Sequence, residues 1–188
     1  MGSASVILMG LRCSGKSTLG PLLAARRGAR FIELDDETAR LSGHPSAGAA
    51  LGALGESEFR RIEARALASI VDGLASGPTA VVALGGGTPT APGAPEHLAR
   101  AKAAGAVVLY LFAPAEVLAA RWLTAPGDRP ALTGLSAAEE VRSLLAQRHE
   151  LYQSLADFTV ISRHQSPEDS VRGLADALAS IEAPPPAG

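Results

Sequence analysis

The segment from Gly10 to Thr18, GLRCSGKST, constrains the possible folds of this chain more than any other feature. It matches the pattern G-x-x-x-x-G-K-[ST]. A short apolar run, 5–9, precedes it, and a helical pattern at 17–28 follows it. In such a strand–loop–helix unit, the N–H groups of the loop and of the helix N-terminus point towards phosphate oxygens. The sequence therefore predicts a phosphate-binding loop inside an α/β fold.

This Walker A loop supplies most of the expected nucleotide contacts. Lys16 is expected to neutralise the β- and γ-phosphates, and the Ser17 hydroxyl to hold Mg²⁺. The residues of the loop expected to bind ATP are Cys13, Ser14, Gly15, Lys16, Ser17 and Thr18. We interpret Cys13 as a small residue that faces away from phosphate, with a redox switch as the alternative. The loop alone leaves the phosphoryl acceptor open: water, a nucleotide, a metabolite, or none in a switch protein.

Strand-like runs alternate with helical patterns along the rest of the chain. Further strands are expected at 30–34, 79–84, 106–112 and 157–161. Further helices are expected at 56–76, 95–105, 114–123, 136–156 and 166–181. This alternation predicts a three-layer α/β/α P-loop NTPase fold, in which helices cover both faces of a parallel sheet of about five strands. We expect one domain over 1–181 and a disordered tail at 182–188.

Composition excludes several classes of partner. The 188 residues contain 17 Lys and Arg against 19 Asp and Glu, so there is no basic excess for nucleic acid or an anionic membrane. A single cysteine excludes an internal disulfide and fits a reducing compartment. No apolar run reaches the roughly 18 residues of a spanning helix, and the start lacks the basic region of a signal peptide. We expect a cytoplasmic protein that binds neither nucleic acid nor membrane.

A cluster of acids, FIELDDE at 31–37, follows the second strand, at the edge of the sheet where ligands bind in open α/β folds. One carboxylate could bind Mg²⁺, and another could accept the proton of an attacking hydroxyl. The alternative is structural: Asp35 or Asp36 as the N-cap of a helix, with Glu37 near its positive end. The spacing alone favours neither interpretation.

Two further segments are candidates for acceptor binding. Arg60 and Arg61 in EFRRIE are adjacent, so on a helix they point about 100° apart. One can face a site and bind a carboxylate with its planar fork, although both could simply be solvated. In ALGGGTPT, three consecutive glycines, 85–87, follow a strand. Glycine lets a polar ligand lie directly on the backbone; a flexible loop is the alternative.

The ordered combination of GLRCSGKSTLG, FIELDDE, GESEFRRIE, ALGGGTP, DRPALTG and QRHELY resembles the shikimate kinase family, from Val6 to about Leu178. The resemblance implies transfer of the γ-phosphoryl of ATP to the 3-hydroxyl of shikimate, in aromatic amino acid biosynthesis. It also implies one Mg²⁺ per subunit, ATP and shikimate as the small-molecule partners, and a monomer. An acceptor-binding helical region is expected at about 36–66 and a mobile lid at about 124–135.

The resemblance assigns roles at matching positions. Asp35 would be the base and would bind a shikimate hydroxyl, and Glu33, where the family usually has aspartate, would join Ser17 at Mg²⁺. Arg60 and Arg148 would bind the shikimate carboxylate. The glycines of the acceptor site are Gly85, Gly86 and Gly87, with the backbone N–H of Gly86 on the substrate.

The resemblance also implies two further ATP-binding residues. Arg129 would be the lid arginine that reaches the ATP phosphates, which completes a catalytic set with Asp35 and Lys16. Gln165 stands where the family often places an arginine against adenine, and Leu51 stands where an aromatic residue usually flanks the substrate ring. Two alternatives remain: another small-metabolite P-loop kinase, such as a gluconate-type kinase, and a non-catalytic module that senses ATP or shikimate.

Overall fold

The computed structural model describes residues 3–124, 136–161 and 166–182, in which all five predicted strands are present, with ends within one residue of the expected ones. The strands are β1 (Val6–Met9), β2 (Arg30–Glu33), β3 (Ala80–Ala83), β4 (Val107–Phe112) and β5 (Phe158–Ile161). The helices are α1 (Lys16–Arg27), α2 (Leu34–Ser42), α3 (Ala47–Leu74), α4 (Ala94–Ala103), α5 (Ala115–Thr124), α6 (Ala137–Leu155) and α7 (Pro167–Glu182). A 3₁₀ turn spans Thr88–Thr90.

The sheet has the order β2-β3-β1-β4-β5, and every neighbouring pair is parallel. Strand β1 lies at its centre, and all four of its residues are fully buried. Central parallel strands are covered on both faces, which is why they consist of continuous apolar runs. The prediction of a parallel five-strand sheet is therefore confirmed.

Alternate residues of the strands enter two separate cores, because neighbouring side chains of a strand point to opposite faces. Ile7 and Met9 pack with apolar residues of α3, α4, α5 and α6. Val6 and Leu8 pack with residues of α1 and α7. The sheet is thus the middle of three layers, as predicted. None of the helices in the described part of the chain has the length and apolar character needed to cross a bilayer.

Three boundaries differ from the expectations. Strand β2 ends at Glu33, which is itself the N-cap of α2, and its side chain does not cap the helix. The interpretation of Asp35 or Asp36 as an N-cap is therefore wrong: with Glu37 they occupy the first turn. There their charges favour the positive end of the helix dipole.

Helix α3 begins earlier than expected and is broken at Gly55, whose φ of 75° is accessible mainly to glycine. The predicted helix began directly after this break. Helix α7 extends to Glu182, one residue into the expected tail. Glu182 is held there by an ion pair with Arg27 at 2.5 Å and by a hydrogen bond from the backbone N–H of Ala4. Residues 183–188 lie outside the described ranges.

Strand order places the candidate site. Strands β1, β3 and β2 are neighbours and run in one direction, so the segments that follow them emerge at one edge of the sheet. These segments are the phosphate loop 10–15, the glycines 85–87 and the start of α2. Ligands of open α/β sheets bind at such an edge.

Candidate active site

The phosphate loop closes around the ammonium group of Lys16. This residue begins α1 and is only 7% exposed. Its Nζ atom donates hydrogen bonds to the carbonyl oxygens of Gly10 and Leu11, both at 2.9 Å. The cation therefore lies within the loop, beside a helix N-terminus, where the helix dipole and unpaired N–H groups already favour an anion.

Glu33 and Ser17, the two candidate metal ligands, lie together. Burial raises the pKa of the Glu33 carboxyl, while a hydrogen bond with the Ser17 side chain and the charge of Lys16 oppose that shift. Carboxylate and hydroxyl oxygens suit Mg²⁺, which commonly binds one or two protein carboxylates together with water and substrate phosphates. Among the described residues no group of three or more His, Cys, Asp and Glu could hold a metal. The pair therefore fits an ion whose remaining ligands come from nucleotide and water.

Cys13 is half-buried at the tip of the phosphate loop. Its carbonyl oxygen accepts a hydrogen bond from Nη1 of Arg121 at 3.3 Å. Burial raises the pKa of its thiol, although the positive charges of Arg12, Lys16 and Arg121 act in the opposite direction. Because the thiolate is the reactive form, a raised pKa supports a structural interpretation of Cys13 over a redox switch.

The glycines after β3 leave no space for a side chain. A Cβ atom on Gly85 would lie 2.6 Å from Oε1 of Glu63 and 2.7 Å from Oδ1 of Asp35. A Cβ atom on Gly87 would overlap the guanidinium of Arg60. The sequence suggested that a ligand requires this bare backbone. The structure adds a second reason, since two predicted acceptor-binding side chains already pack against it.

Gly86 connects the phosphate loop with α6. A Cβ atom there would lie 2.9 Å from the backbone nitrogen of Arg12. Its carbonyl oxygen accepts hydrogen bonds from Nη1 of Arg148 at 3.0 Å and from the hydroxyl of Tyr152 at 2.7 Å. Burial raises the pKa of Tyr152, so its hydroxyl remains a donor at neutral pH. The carbonyl of Gly86 therefore positions Arg148 at the acceptor end of the site.

Arg60 is held by two carboxylates of α3, of which Glu63 is buried and Glu56 is exposed. Its Nη1 atom lies 2.6 Å from Oε2 of Glu63, and its Nη2 atom lies 3.3 Å from Oε1 of Glu56. The other oxygen of Glu63 accepts a hydrogen bond from the Thr88 hydroxyl at 2.7 Å. Burial acts to lower the pKa of Arg60, but the charges and hydrogen bonds of Glu63 and Glu56 together outweigh it, and the net shift is upward. Arg61 points to solvent, with a side chain 68% exposed, so the expected divergence of the two arginines is confirmed.

A cleft of about 350 Å³, including the solvent at its mouth, opens between these elements. Its charged lining consists of arginines, its walls are leucines, and its base is glycine backbone. The lining residues are Arg12, Arg60, Arg148, Leu11, Leu51, Leu144, Gly86 and Gly87. This combination suits a small molecule with an anionic group and an apolar ring. Leu51, expected beside the substrate ring, is part of the wall.

The structure brings most of the predicted site residues together. Asp35, Arg60 and Arg148 all lie against the glycine segment 85–87, and Gly86 in turn lies against the phosphate loop. Lys16 joins the same assembly, because its ammonium binds the carbonyl of Leu11, which lines the cleft. Arg129 and Gln165 lie outside the described residues, as does the expected lid beyond Thr124.

Four residues of the site were not singled out from the sequence. They are Arg12, Glu63, Thr88 and Tyr152. Glu63 and Tyr152 stand within the motifs FRRIE and QRHELY, and this was the only signal for them in the sequence. Arg12 occupies a variable position of the phosphate-loop pattern, where no particular residue type is required.

A parallel sheet in this order, with a phosphate loop after β1 and an arginine-lined cleft at the same edge, is typical of the class of P-loop metabolite kinases. The family model described as shikimate kinase matches residues 12–179. A curated relative, the shikimate kinase of Mycobacterium avium (strain 104), is 37% identical over 183 residues, which cover 94% of each chain. The chain belongs to the shikimate kinase family.

Solved structures agree with this assignment. A shikimate kinase from Acinetobacter baumannii, solved in complex with shikimate, superimposes with a TM-score of 0.82 and 26% identity, over 97% of this chain and 96% of that one. A gluconokinase from Sinorhizobium meliloti 1021 superimposes with a TM-score of 0.63 and 23% identity, over 96% and 94%. At that identity the gluconokinase shares the fold alone with this chain.

Proposed function

We propose that this protein transfers the γ-phosphoryl group of ATP to the 3-hydroxyl of shikimate, as a cytoplasmic monomer in aromatic amino acid biosynthesis. The observation that carries the proposal is the acceptor cleft, where Arg60 from α3 and Arg148 from α6 converge on Gly86 and Gly87 beside the phosphate loop. Two guanidinium groups suit a carboxylate, which shikimate has. Family membership and the shikimate complex of the Acinetobacter baumannii enzyme support the same acceptor.

In this proposal, residues 13–18 of the loop bind the ATP phosphates and Gln165 contacts adenine. Lys16 and Arg129 spread positive charge over the transferred phosphoryl group. Ser17 and Glu33 would hold one Mg²⁺, which would supply further neutralisation of the β- and γ-phosphates. The protein contributes mainly positioning and charge, because phosphoryl transfer needs little covalent assistance.

The acceptor is held from three sides. Arg60 and Arg148 bind its carboxylate, and the backbone of Gly85, Gly86 and Gly87 lies beneath it. Asp35, which packs against Gly85 at the start of α2, orients the acceptor hydroxyl and receives its proton. The proton thus passes to Asp35 as the oxygen–phosphorus bond forms and ADP leaves.

The test is an ADP-release assay of the purified protein with shikimate, gluconate and AMP as separate acceptors. We expect turnover with shikimate. Asp35→Asn should lower kcat by about 10²- to 10⁴-fold, the usual contribution of a general base. Asp36→Asn is the matched control, since Asp36 lies in the same helical turn but is exposed.

Two outcomes would contradict the proposed activity, and a third would contradict only the role of Asp35. Turnover with gluconate but not shikimate favours a gluconate-type kinase. Binding of ATP and shikimate without turnover, measured by calorimetry, favours a sensing module. Unchanged kcat in Asp35→Asn removes Asp35 as the base while leaving the kinase assignment in place.

A further inference from the structure

Arg12 is an additional charged residue of the acceptor cleft. It is the third residue of the phosphate loop, and it lines the cleft together with Arg60 and Arg148. Among the cleft-lining residues in the described ranges, all three charged side chains are arginines. The roles assigned above to Arg60 and Arg148 leave Arg12 without one.

The charges of the three arginines in the cleft are compensated to different extents. Arg60 is paired at 2.6 Å with Glu63, whose side chain is fully buried beside it. Much of the positive charge of Arg60 is therefore compensated before any acceptor arrives. Arg148 donates to an uncharged carbonyl, that of Gly86. An acceptor carboxylate in the cleft would therefore meet the positive charge of Arg148 together with that of Arg12, which lines the cleft from the phosphate-loop side.

The position of Arg12 is fixed by α5. Its guanidinium carbon lies 4.3 Å from the ring centroid of Trp122, which is 6% exposed. Stacking of this kind occupies a face of the guanidinium, whereas its N–H donors lie in the plane and point outward. A second contact links the same two elements, because Arg121 of α5 donates a hydrogen bond to the carbonyl of Cys13 in the phosphate loop at 3.3 Å. Two consecutive residues of α5 therefore hold two consecutive residues of the loop, which lowers the entropy lost on binding.

We propose that Arg12 is a specificity-determining residue, which binds the anionic group of the acceptor and is held in position by Trp122. The inference rests on the proposed function, and it adds a third cation to the acceptor site. It implies that the cleft discriminates strongly against acceptors that lack a carboxylate. It also implies that acceptor affinity depends on Arg12 more than ATP affinity does.

The test compares Arg12→Met with Arg61→Met, which removes the same charge from an exposed position on α3. Calorimetry with the full chain measures the dissociation constants of shikimate and ATP at low and high salt. We expect Arg12→Met to weaken shikimate binding about tenfold or more, as for loss of one charge-assisted contact, and to change ATP binding less than about twofold. The salt dependence of shikimate binding should also become shallower. Arg61→Met should behave as the wild type.

Trp122 offers a separate readout, because it is the single tryptophan of the chain. Its emission should change in ligand-free Arg12→Met and stay unchanged in Arg61→Met. Trp122→Leu keeps the charge of Arg12 but removes its support, so shikimate binding should weaken severalfold, less than in Arg12→Met. If Arg12→Met does not fold, Arg12→Gln and Arg12→Lys serve for the same comparison, with the lysine variant expected to retain more affinity.

If loss of Arg12 does not weaken shikimate binding, the inference is overturned. Turnover of shikimate by the wild type would still support the proposed function in that case. Equal weakening of shikimate and ATP would also overturn it, because a distorted phosphate loop would then explain both effects. Arg12-dependent shikimate binding without turnover would support the inference and overturn the proposed function. A wild type that does not bind shikimate would overturn both.

Discussion

At the phosphate end of the site most polar groups come from the loop that enters α1, with Glu33 added from the end of β2, whereas at the acceptor end they come from four separate segments. The ammonium group of Lys16 donates hydrogen bonds to Gly10, Leu11 and Ser14, which all belong to the loop and lie at most six residues away. Asp35, Arg60 and Arg148 belong to α2, α3 and α6, and they meet at the glycine segment after β3. The first end is therefore a local structure, and the second depends on how the whole domain packs.

This difference has an energetic consequence. The phosphate loop presents mainly backbone groups, whose geometry follows from the turn into α1. The acceptor end contains a buried ion pair, Arg60 with Glu63, and the Thr88 hydroxyl completes its hydrogen bonding. Buried charges cost free energy unless they stay paired. Substitutions at the acceptor end should therefore affect the stability of the fold as well as substrate binding.

The largest expected effect comes from Glu63→Ala. It leaves Arg60 buried without its closest carboxylate and should reduce the free energy of unfolding by about 3 kcal/mol. Glu58→Ala is the matched control, since Glu58 pairs with Arg61 at the same i,i+3 spacing on the same helix, but with both side chains exposed. Its expected effect is below about 0.5 kcal/mol. Urea unfolding of the ligand-free proteins measures both values, and equal values would show that the acceptor end does not depend on its buried pair.

The same contrast explains what could be predicted from the sequence. The phosphate loop and the strands around it were predicted closely, because motif, apolar period and glycine positions are all local signals. The parallel sheet also follows from local patterns, since strand–helix alternation constrains topology strongly. Helical spacing predicted that Arg60 and Arg61 diverge, but only the family resemblance indicated that Arg60 is the one that faces the site.

Long-range partners were not predictable from one sequence. That Glu63 faces Arg60 follows from helical spacing, but its contact with Thr88, 25 residues away, requires the fold. Tyr152 reaches Gly86 across 66 residues. The capping assignment of Asp35 or Asp36 failed for a different reason: β2 passes directly into α2, so the cap position falls on Glu33.

Tyr152→Phe tests how far acceptor binding depends on the carbonyl of Gly86. It removes one hydrogen bond to that oxygen while Arg148 keeps the other, so we expect a loss of about 1 kcal/mol in stability and a severalfold rise in KM for shikimate. KM for ATP should stay unchanged. Tyr110→Phe is the control, because Tyr110 packs edge-on against Tyr152 but hydrogen-bonds His149 instead. A parallel rise in both KM values would indicate that the glycine segment supports the phosphate loop as much as the acceptor cleft.

The smallest expected effect lies at the phosphate end, in the pH dependence of Glu33→Gln. Burial raises the pKa of Glu33, so the ionised carboxylate is less favourable in the folded than in the unfolded chain. The contribution of the Glu33 side chain to the free energy of unfolding is therefore fully present below its pKa in the unfolded chain. It is lost as the pH rises through the higher pKa of the folded chain. Without Mg²⁺ and nucleotide, Glu33→Gln should therefore raise Tm slightly at pH 7.5.

That difference should shrink as the pH falls towards and below the ordinary glutamate pKa of about 4.3, because the wild-type carboxyl then becomes protonated in both states. For Glu37→Gln we expect the opposite change of Tm relative to the wild type. The hydrogen bond from Arg40 lowers the pKa of Glu37, so its contribution is present above the unfolded pKa and is lost as pH falls through the folded one. Calorimetric Tm values of both variants across this pH range measure the two trends. The contrary result is a Tm difference between Glu33→Gln and the wild type that is absent at pH 7.5 or grows towards pH 4. It would show that burial does not destabilise the ionised carboxylate beside Ser17, so that the phosphate end lacks an unfavourable negative charge for a cation to neutralise.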